Sequence, residues 1–269
     1  MTHPFGAQSH ELDRRIAAME DWPSETVLIA LDDYAGQDWI DHSPVPVMIL
    51  DAPDDGSFLE RLDRLAVGGI RFPLRQILRH LDSRNDLLSP AVPVLALALS
   101  RCRVVRGEIN IPEPLLTEAG ALELLGAKRR FESERVSPIV RARHIRLADG
   151  GLADLYWLTS MLWLTRSWHD EGEWSASLPE QIKALTRQHR LNAVEADEML
   201  EAWNYLKQLE AAVVSLDVES GLLPENPDKL EVIAERIGQS GANPLLAKFL
   251  HHREAVRSLL CEFVERGFA

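Results

Sequence analysis

Apolar positions along this chain change rhythm several times. Between residues 10 and 22 they recur at helical spacing: Leu12, Ile16 and Met19 share one face. Ser9 is placed to cap that helix, and Pro23 ends it. Two short apolar runs follow, TVLIAL over 26–31 and VPVMIL over 45–50, on either side of a polar loop containing Gly36. Runs of this length, rich in β-branched residues and bounded by turn residues, predict strands. Proline cannot donate to a ladder, so Pro46 predicts that the second strand lies at an edge or begins only after it.

The turn cluster DAPDDG over 51–56 leads to a helix starting at Ser57, with Glu60 at the capping-box position and Gly68-Gly69 as its stop. Residues 70–72 suit a third short strand, and Pro73 suits the first position of a helix over 73–82. If that helix reached back far enough, Arg71, Arg75 and Arg79, four apart, would share a solvated side. Residues 90–99 fit strand or helix, and 112–132 read as helix.

From Asp154 onward the rhythm is helical throughout. Leu155, Leu158, Thr159, Leu162 and Trp163 form a broad stripe, and another helix covers 180–189. Asn192 caps the next helix with Glu195 at its third position. That helix, over 192–219, is expected to be the longest, with Leu200, Trp203, Leu206 and Leu209 facing the core. A last helix spans 244–263. The fold class is therefore α+β: a mixed-sheet α/β domain over 1–149 and an all-α helical bundle over 150–269, joined near Gly150-Gly151.

The 269 residues are 46% apolar and 26% charged, as in water-soluble globular chains. No apolar run approaches the ~18 residues of a membrane span, and residues 1–15 lack the pattern of a secretion signal. Cys102 and Cys261 read as two buried free thiols in a cytoplasmic protein. The net charge of −13 argues against nucleic acid as a partner. Charge is unevenly spread: −10 over 1–56, +6 over 71–146 and −7 over 193–269. The basic middle suits internal neutralisation first, and phosphate or an acidic partner second.

Three segments, in order, resemble the glutamine synthetase adenylyltransferases. That family carries a strand, a Gly-Lys-Leu-Gly-Gly loop and Gly-Ser-Asp-x-Asp running into a second strand. Against this pattern Gly36 falls on the last loop glycine, Ser43 on the serine, and Pro44 and Pro46 on the two aspartates. The segment SRCRVVRGE, residues 100–108, is similar to Leu-Arg-Ala-Arg-Pro-Val-Ala-Gly-Asp through Arg101, Arg103, Val105 and Gly107. HIRLADGGLADLYWL resembles Leu-Lys-x-Gly-Pro-Gly-Gly-Leu-Arg-Asp-Ile-Glu-Phe. Gly150, Gly151, Leu152 and Asp154 are identical, and Arg146 replaces the lysine.

The resemblance implies a nucleotidyltransferase-like first domain with a degenerate site. In the family the two aspartates hold magnesium and, through it, the nucleotide phosphates. Here both positions are proline, a third proline, Pro73, falls near the family's third carboxylate, and Asp33 replaces the loop lysine. Two-metal chemistry needs its carboxylates, and proline has none. The expectation is thus no catalytic residue, no metal and no cofactor, with Gly36 and Ser43 as remnants of a cofactor-binding loop. The chain would bind a protein partner, glutamine synthetase or a nitrogen-signalling protein. Two alternatives stand beside this. One is an active adenylyltransferase using Mg-ATP and substitute carboxylates among Asp32, Asp33, Asp38 and Asp41. The other is a helical interaction protein unrelated to nitrogen control.

Overall fold

A computed structural model describes residues 7–31, 35, 45–52, 57–63, 65–67, 70–71, 74–76, 100–109, 118–165, 175–216 and 221–267. The chain divides into two compact units. The first is Met1–Leu115 with Ser167–Glu180, and the second is Leu116–Arg166 with Gln181–Ala269.

In the first unit, α1 (Ala7–Ala17) is followed by β1 (Val27–Leu31), β2 (Val45–Leu50), α2 (Ser57–Asp63), β3 (Ala66–Val67), β4 (Ile70–Arg71), β5 (Leu74–Gln76) and β6 (Cys102–Arg106). Four strands form a mixed sheet in the order β5-β2-β1-β6, and β3 and β4 make a separate antiparallel pair. β1 runs antiparallel to both β2 and β6, and β2 runs parallel to β5. Side chains alternate across a strand. Leu28 and Ala30 of β1, with Val47 and Ile49 of β2, therefore pack with Leu12 and Ile16 of α1 and Phe58 and Leu62 of α2. Val27, Ile29 and Leu31 pack with Met48, Leu50 and Cys102 on the opposite face. Burial on both faces explains why β1 reads as an unbroken apolar run.

Several expectations change here. Ser9 lies inside α1 and not at its cap. β2 is an interior strand, although Pro46 suggested an edge. The sheet tolerates the proline because the β1 ladder begins at Val47, one residue later, and Pro46 is matched only with Arg75 of β5. The helix expected over 73–82 is replaced at 74–76 by β5: pairing with residues 45–47 overrides local helical spacing. Arg71 and Arg75 lie in different strands, so they share no helix face. The helix from Ser57 stops at Asp63, because Ala66 and Val67 pair with Arg71 and Ile70. The segment over 90–99 lies outside the described residues.

The second unit contains α3 (Glu118–Arg135), α4 (Pro138–Arg141), α5 (Leu152–Leu164), α7 (Ala193–Val214), α8 (Pro227–Arg236) and α9 (Ala242–Arg266). The division of the chain falls inside α6 (Leu178–Arg187), after Glu180. α3 thus belongs with the helices, ahead of the boundary expected at 149/150. Its Lys128 is ion-paired with Asp154 of α5. α5 is apolar nearly all round and almost wholly buried, as suits a central helix. α9 packs on α5, α7 and α8.

Asn192 and Glu195 form the expected capping box on α7. Trp203, Leu206 and Leu209 are buried, and Leu200 is half-buried. α9, with 25 residues, is longer than α7, with 22. Among the described residues past 150 no strand occurs beyond an isolated bridge between His144 and Leu222. Cys102 is buried as expected, but Cys261 is exposed on α9. No helix among the described residues is long and apolar enough to cross a membrane.

Candidate functional site

Gly36, Ser43, Pro44 and Pro73 lie outside the described residues, as do Asp32, Asp33, Asp38 and Asp41. Pro46 is in β2. Among the described residues, no group of three or more histidines, cysteines and carboxylates is placed to hold a metal ion.

The second matched segment, on β6, is a set of arginine anchors. Buried Arg101 donates from Nε to the carbonyl of Ala176 at 3.1 Å. Arg103 pairs with Asp13 of α1 at 3.0 Å. Arg106 donates to the last carbonyls of α1, those of Ile16 and Ala17, and its guanidinium lies 4.9 Å from the Trp22 ring centre. A cation at a helix C-terminus satisfies carbonyls that have no partner within the helix. Arg103 and Arg106 fasten α1 to the sheet, and Arg101 ties β6 to the segment at Ala176.

The third matched segment forms a turn ahead of α5. His144 Nδ1 accepts the N–H groups of Arg146 and Leu147, each at 3.2 Å. Ile145 donates to the Gly221 carbonyl at 2.7 Å, and Leu223 to that of Arg143 at 3.0 Å, closing the turn against residues 221–223. Gly150 has φ +77°, and a Cβ there would lie 1.9 Å from the carbonyl oxygen of Arg253. At Gly151 a Cβ would lie 2.6 Å from the carbonyl oxygens of Ile145 and Arg146. Both positions demand glycine, the first for conformation and space, the second for space alone.

Charged side chains hold this turn from every side. Asp154, in the first turn of α5, accepts the N–H of Gly150 through Oδ2 at 2.5 Å, just ahead of the helix, and its Oδ1 binds Lys128. Arg146 grips Glu210 of α7 with two nitrogens, and Glu210 also receives Lys207 at 3.3 Å. Lys207 is fully buried and Glu210 nearly so. Arg253 of α9 reaches back to the carbonyls of Asp149 at 3.0 Å and Ala142 at 2.6 Å. Burial lowers the Arg253 pKa, and the charges of Asp149 and Asp154 oppose that shift.

This arrangement fixes backbone and does not receive an anion. Carbonyl oxygens crowd the glycine pair, whereas an anion-binding nest turns N–H groups to its ligand. The Gly150 and Gly151 N–H groups are taken by Asp154 and by the Ala148 carbonyl. Glycines and Asp154 were legible as a motif. Arg253 was not, since it comes from a helix a hundred residues away. The i,i+3 spacing of Lys207 and Glu210 was the only local hint of the buried cluster.

The family model for GlnD PII-uridylyltransferase matches residues 123–264, more than half of the chain. Among curated relatives, a bifunctional glutamine synthetase adenylyltransferase/adenylyl-removing enzyme of Cutibacterium acnes is 26% identical over 149 residues, 54% of this chain and 15% of that protein. The enzyme of the same name from Hahella chejuensis is 22% identical over 179 residues, 62% of this chain and 19% of its own length. One from Bifidobacterium longum is 30% identical over 121 residues, 39% of this chain and 11% of its own. The chain therefore spans about a fifth or less of these relatives. The match takes in the Gly150-Gly151 turn and nearly all of α9, and on it the chain belongs to the glutamine synthetase adenylyltransferase family, through the region that the GlnD PII-uridylyltransferase model describes.

Proposed function

We propose that this chain is a catalytically degenerate relative of glutamine synthetase adenylyltransferase that serves nitrogen metabolism by binding a protein. In this reading the first unit is a nucleotidyltransferase-like domain without its metal ligands, and the helices of the second unit meet the partner. The observation that carries the reading is the proline pair. Pro44 and Pro46 fall where the family has its aspartates, and Pro46 lies in a strand of the sheet. β2, which contains Pro46, and β5, which begins just after Pro73, are hydrogen-bonded neighbours. Of the three prolines, Pro46 lies within β2, at a position where the family's chemistry would require an oxygen ligand. Gly36 and Ser43 remain as parts of a loop that once held a nucleotide.

The relatives are named for acting on glutamine synthetase, so that enzyme is the first partner to test, and a nitrogen-signalling protein the second. Calorimetry at millimolar Mg-ATP is expected to show no binding, and radiolabelled ATP to leave no label on glutamine synthetase. Immobilised protein should still retain the synthetase from solution. Restoring Pro44→Asp and Pro46→Asp together should bring back metal or nucleotide affinity. Transfer of label by the unsubstituted protein, lost on changing Asp38 or Asp41, would defeat this reading and establish a rebuilt active site.

A further inference from the structure

His252 is buried in α9, and its Nε2 has no hydrogen-bond partner. Its ring centre lies 4.9 Å from that of Tyr205 on α7. The Tyr205 hydroxyl donates to the carbonyl of Leu245 on α9 at 2.8 Å, so the same tyrosine both stacks on the imidazole and pins α9 about two turns upstream. The next residue, Arg253, carries the two hydrogen bonds to the carbonyls of Ala142 and Asp149, and its own carbonyl is the group that Gly150 approaches. The buried imidazole and the clamp on the turn are therefore consecutive residues of one helix.

We propose that α9 is a proton-operated latch: protonation of His252 loosens α9 from α7, and Arg253 then releases the turn over 142–150. A neutral imidazole is tolerated in this place, but an imidazolium is not. It would carry a second N–H and a full charge into a site that gives its Nε2 no acceptor. The groups around it make matters worse on balance. On its own helix stand Lys248, whose ammonium is 5.1 Å from the Tyr205 ring centre, and His251, with its ring 5.4 Å away. From α7 come Tyr205 and the carboxylate of Glu201, the one group that favours the charged form. Among the described residues, α5 and α8 add no charge that shifts it. Burial is the largest cause, then His251 and Lys248, and together they hold His252 below the usual histidine value of 6.5.

The sign follows from linkage. The unfolded or opened state binds the proton at the ordinary value, and the closed state only below it. Closure is thus fully favourable above pH 6.5 and weakens as pH falls from 6.5 toward the lower value of the folded form. In that window the opening equilibrium rises by up to about tenfold per pH unit.

Hydrogen exchange by mass spectrometry on the full chain between pH 7.5 and 5.5 tests the latch. Corrected for intrinsic rates, protection over 245–256 and over 142–151 should fall together in the unsubstituted protein. It should stay level in His252→Leu, which keeps the volume and removes the proton site. His251→Gln should keep the response over a narrower pH window, because one of the charges that hold His252 down is gone. His144 is the rival, because protonating its Nδ1 would break two hydrogen bonds of the same turn. A pH response that survives in His252→Leu and disappears in His144→Gln overturns the proposal. If His252→Leu does not fold, NMR titration of the histidine ring protons decides. One imidazole must titrate below the ordinary range with the amides of both segments shifting in the same step. Titration of His252 at the ordinary value, or without those shifts, overturns it equally.

Discussion

The sheet of the first unit, which resembles family segments, and the Gly150-Gly151 turn of the second, which lies in the matched region, are held by opposite means. The sheet is held by apolar side chains on both faces of β1, every one of which is buried. The turn is held by ions and backbone: Lys128–Asp154, Arg146–Glu210–Lys207 and the Arg253 clamp. The difference bears on what each match means. In the sheet, the proposed loss of the family's aspartates to proline would leave this apolar scaffold in place. In the turn, the shared residues are themselves the scaffold, so they persist whether or not any chemistry does.

The largest expected effect is in the turn. Gly150→Val places a β-branched residue at φ +77° with its Cβ on the Arg253 carbonyl. Backbone strain of ~1–3 kcal/mol and an overpacking cost of similar size add up to roughly 4 kcal/mol. Thermal unfolding of the purified variant should show this, and hydrogen exchange should place the loss at 142–164 and α9. Gly151, at φ −80°, carries no such strain. Valine there acts only through the carbonyls of Ile145 and Arg146 and should cost less, and a reversed order would break the account of the turn.

Next come two substitutions that separate the two kinds of stabilisation. Asp154→Ala strips a nearly buried ion pair of one partner and should destabilise by ~3 kcal/mol. Ile29→Ala empties a fully buried position in β1 and should destabilise by about as much. Adding Lys128→Met to Asp154→Ala should restore much of the loss, because the stranded ammonium is gone. What remains is the Gly150 N–H bond, ~1 kcal/mol. No charge substitution should rescue Ile29→Ala. Failure of Lys128→Met to rescue would show that Asp154 acts through the turn alone.

These same residues mark how far the sequence could be read. β1 and β2 were legible because their patterns are local: short apolar runs between turn residues. The α7 cap was legible for the same reason, since Asn192 and Glu195 are three apart. β5 was not, because Leu74–Gln76 carries helical spacing and becomes a strand only by pairing with residues some thirty positions earlier. The clamp by Arg253 and the placement of α3 with the later helices depend on contacts 26 to 111 residues apart, for which a single sequence holds no signal. Of the candidate nucleotide site, the proposed proline replacements rest on resemblance alone, and only Pro46 falls among the described residues. The exposure of Cys261 was misjudged because apolar neighbours in sequence are not neighbours on a helix face.

The smallest expected effect is at Pro46, and it sharpens the comparison most. Pro46 is interior to the sheet by strand order but takes no place in the β1 ladder, which starts at Val47. Pro46→Ala returns a backbone N–H and removes the restriction that proline imposes on the unfolded chain. The first is worth ~1 kcal/mol if the sheet offers an acceptor, and the second costs ~0.4–1 kcal/mol, so the two nearly cancel. Stability should move by less than about 1 kcal/mol in either direction. Pro46→Ala should also leave nucleotide binding where it was, since alanine adds no oxygen. If Pro46→Ala is neutral while Pro44→Asp with Pro46→Asp gains magnesium affinity, the proline is a vacancy in the chemistry and a bystander in the fold. A loss of several kcal/mol on Pro46→Ala would mean instead that the sheet has come to depend on the proline, and that the first unit's scaffold has changed along with its site.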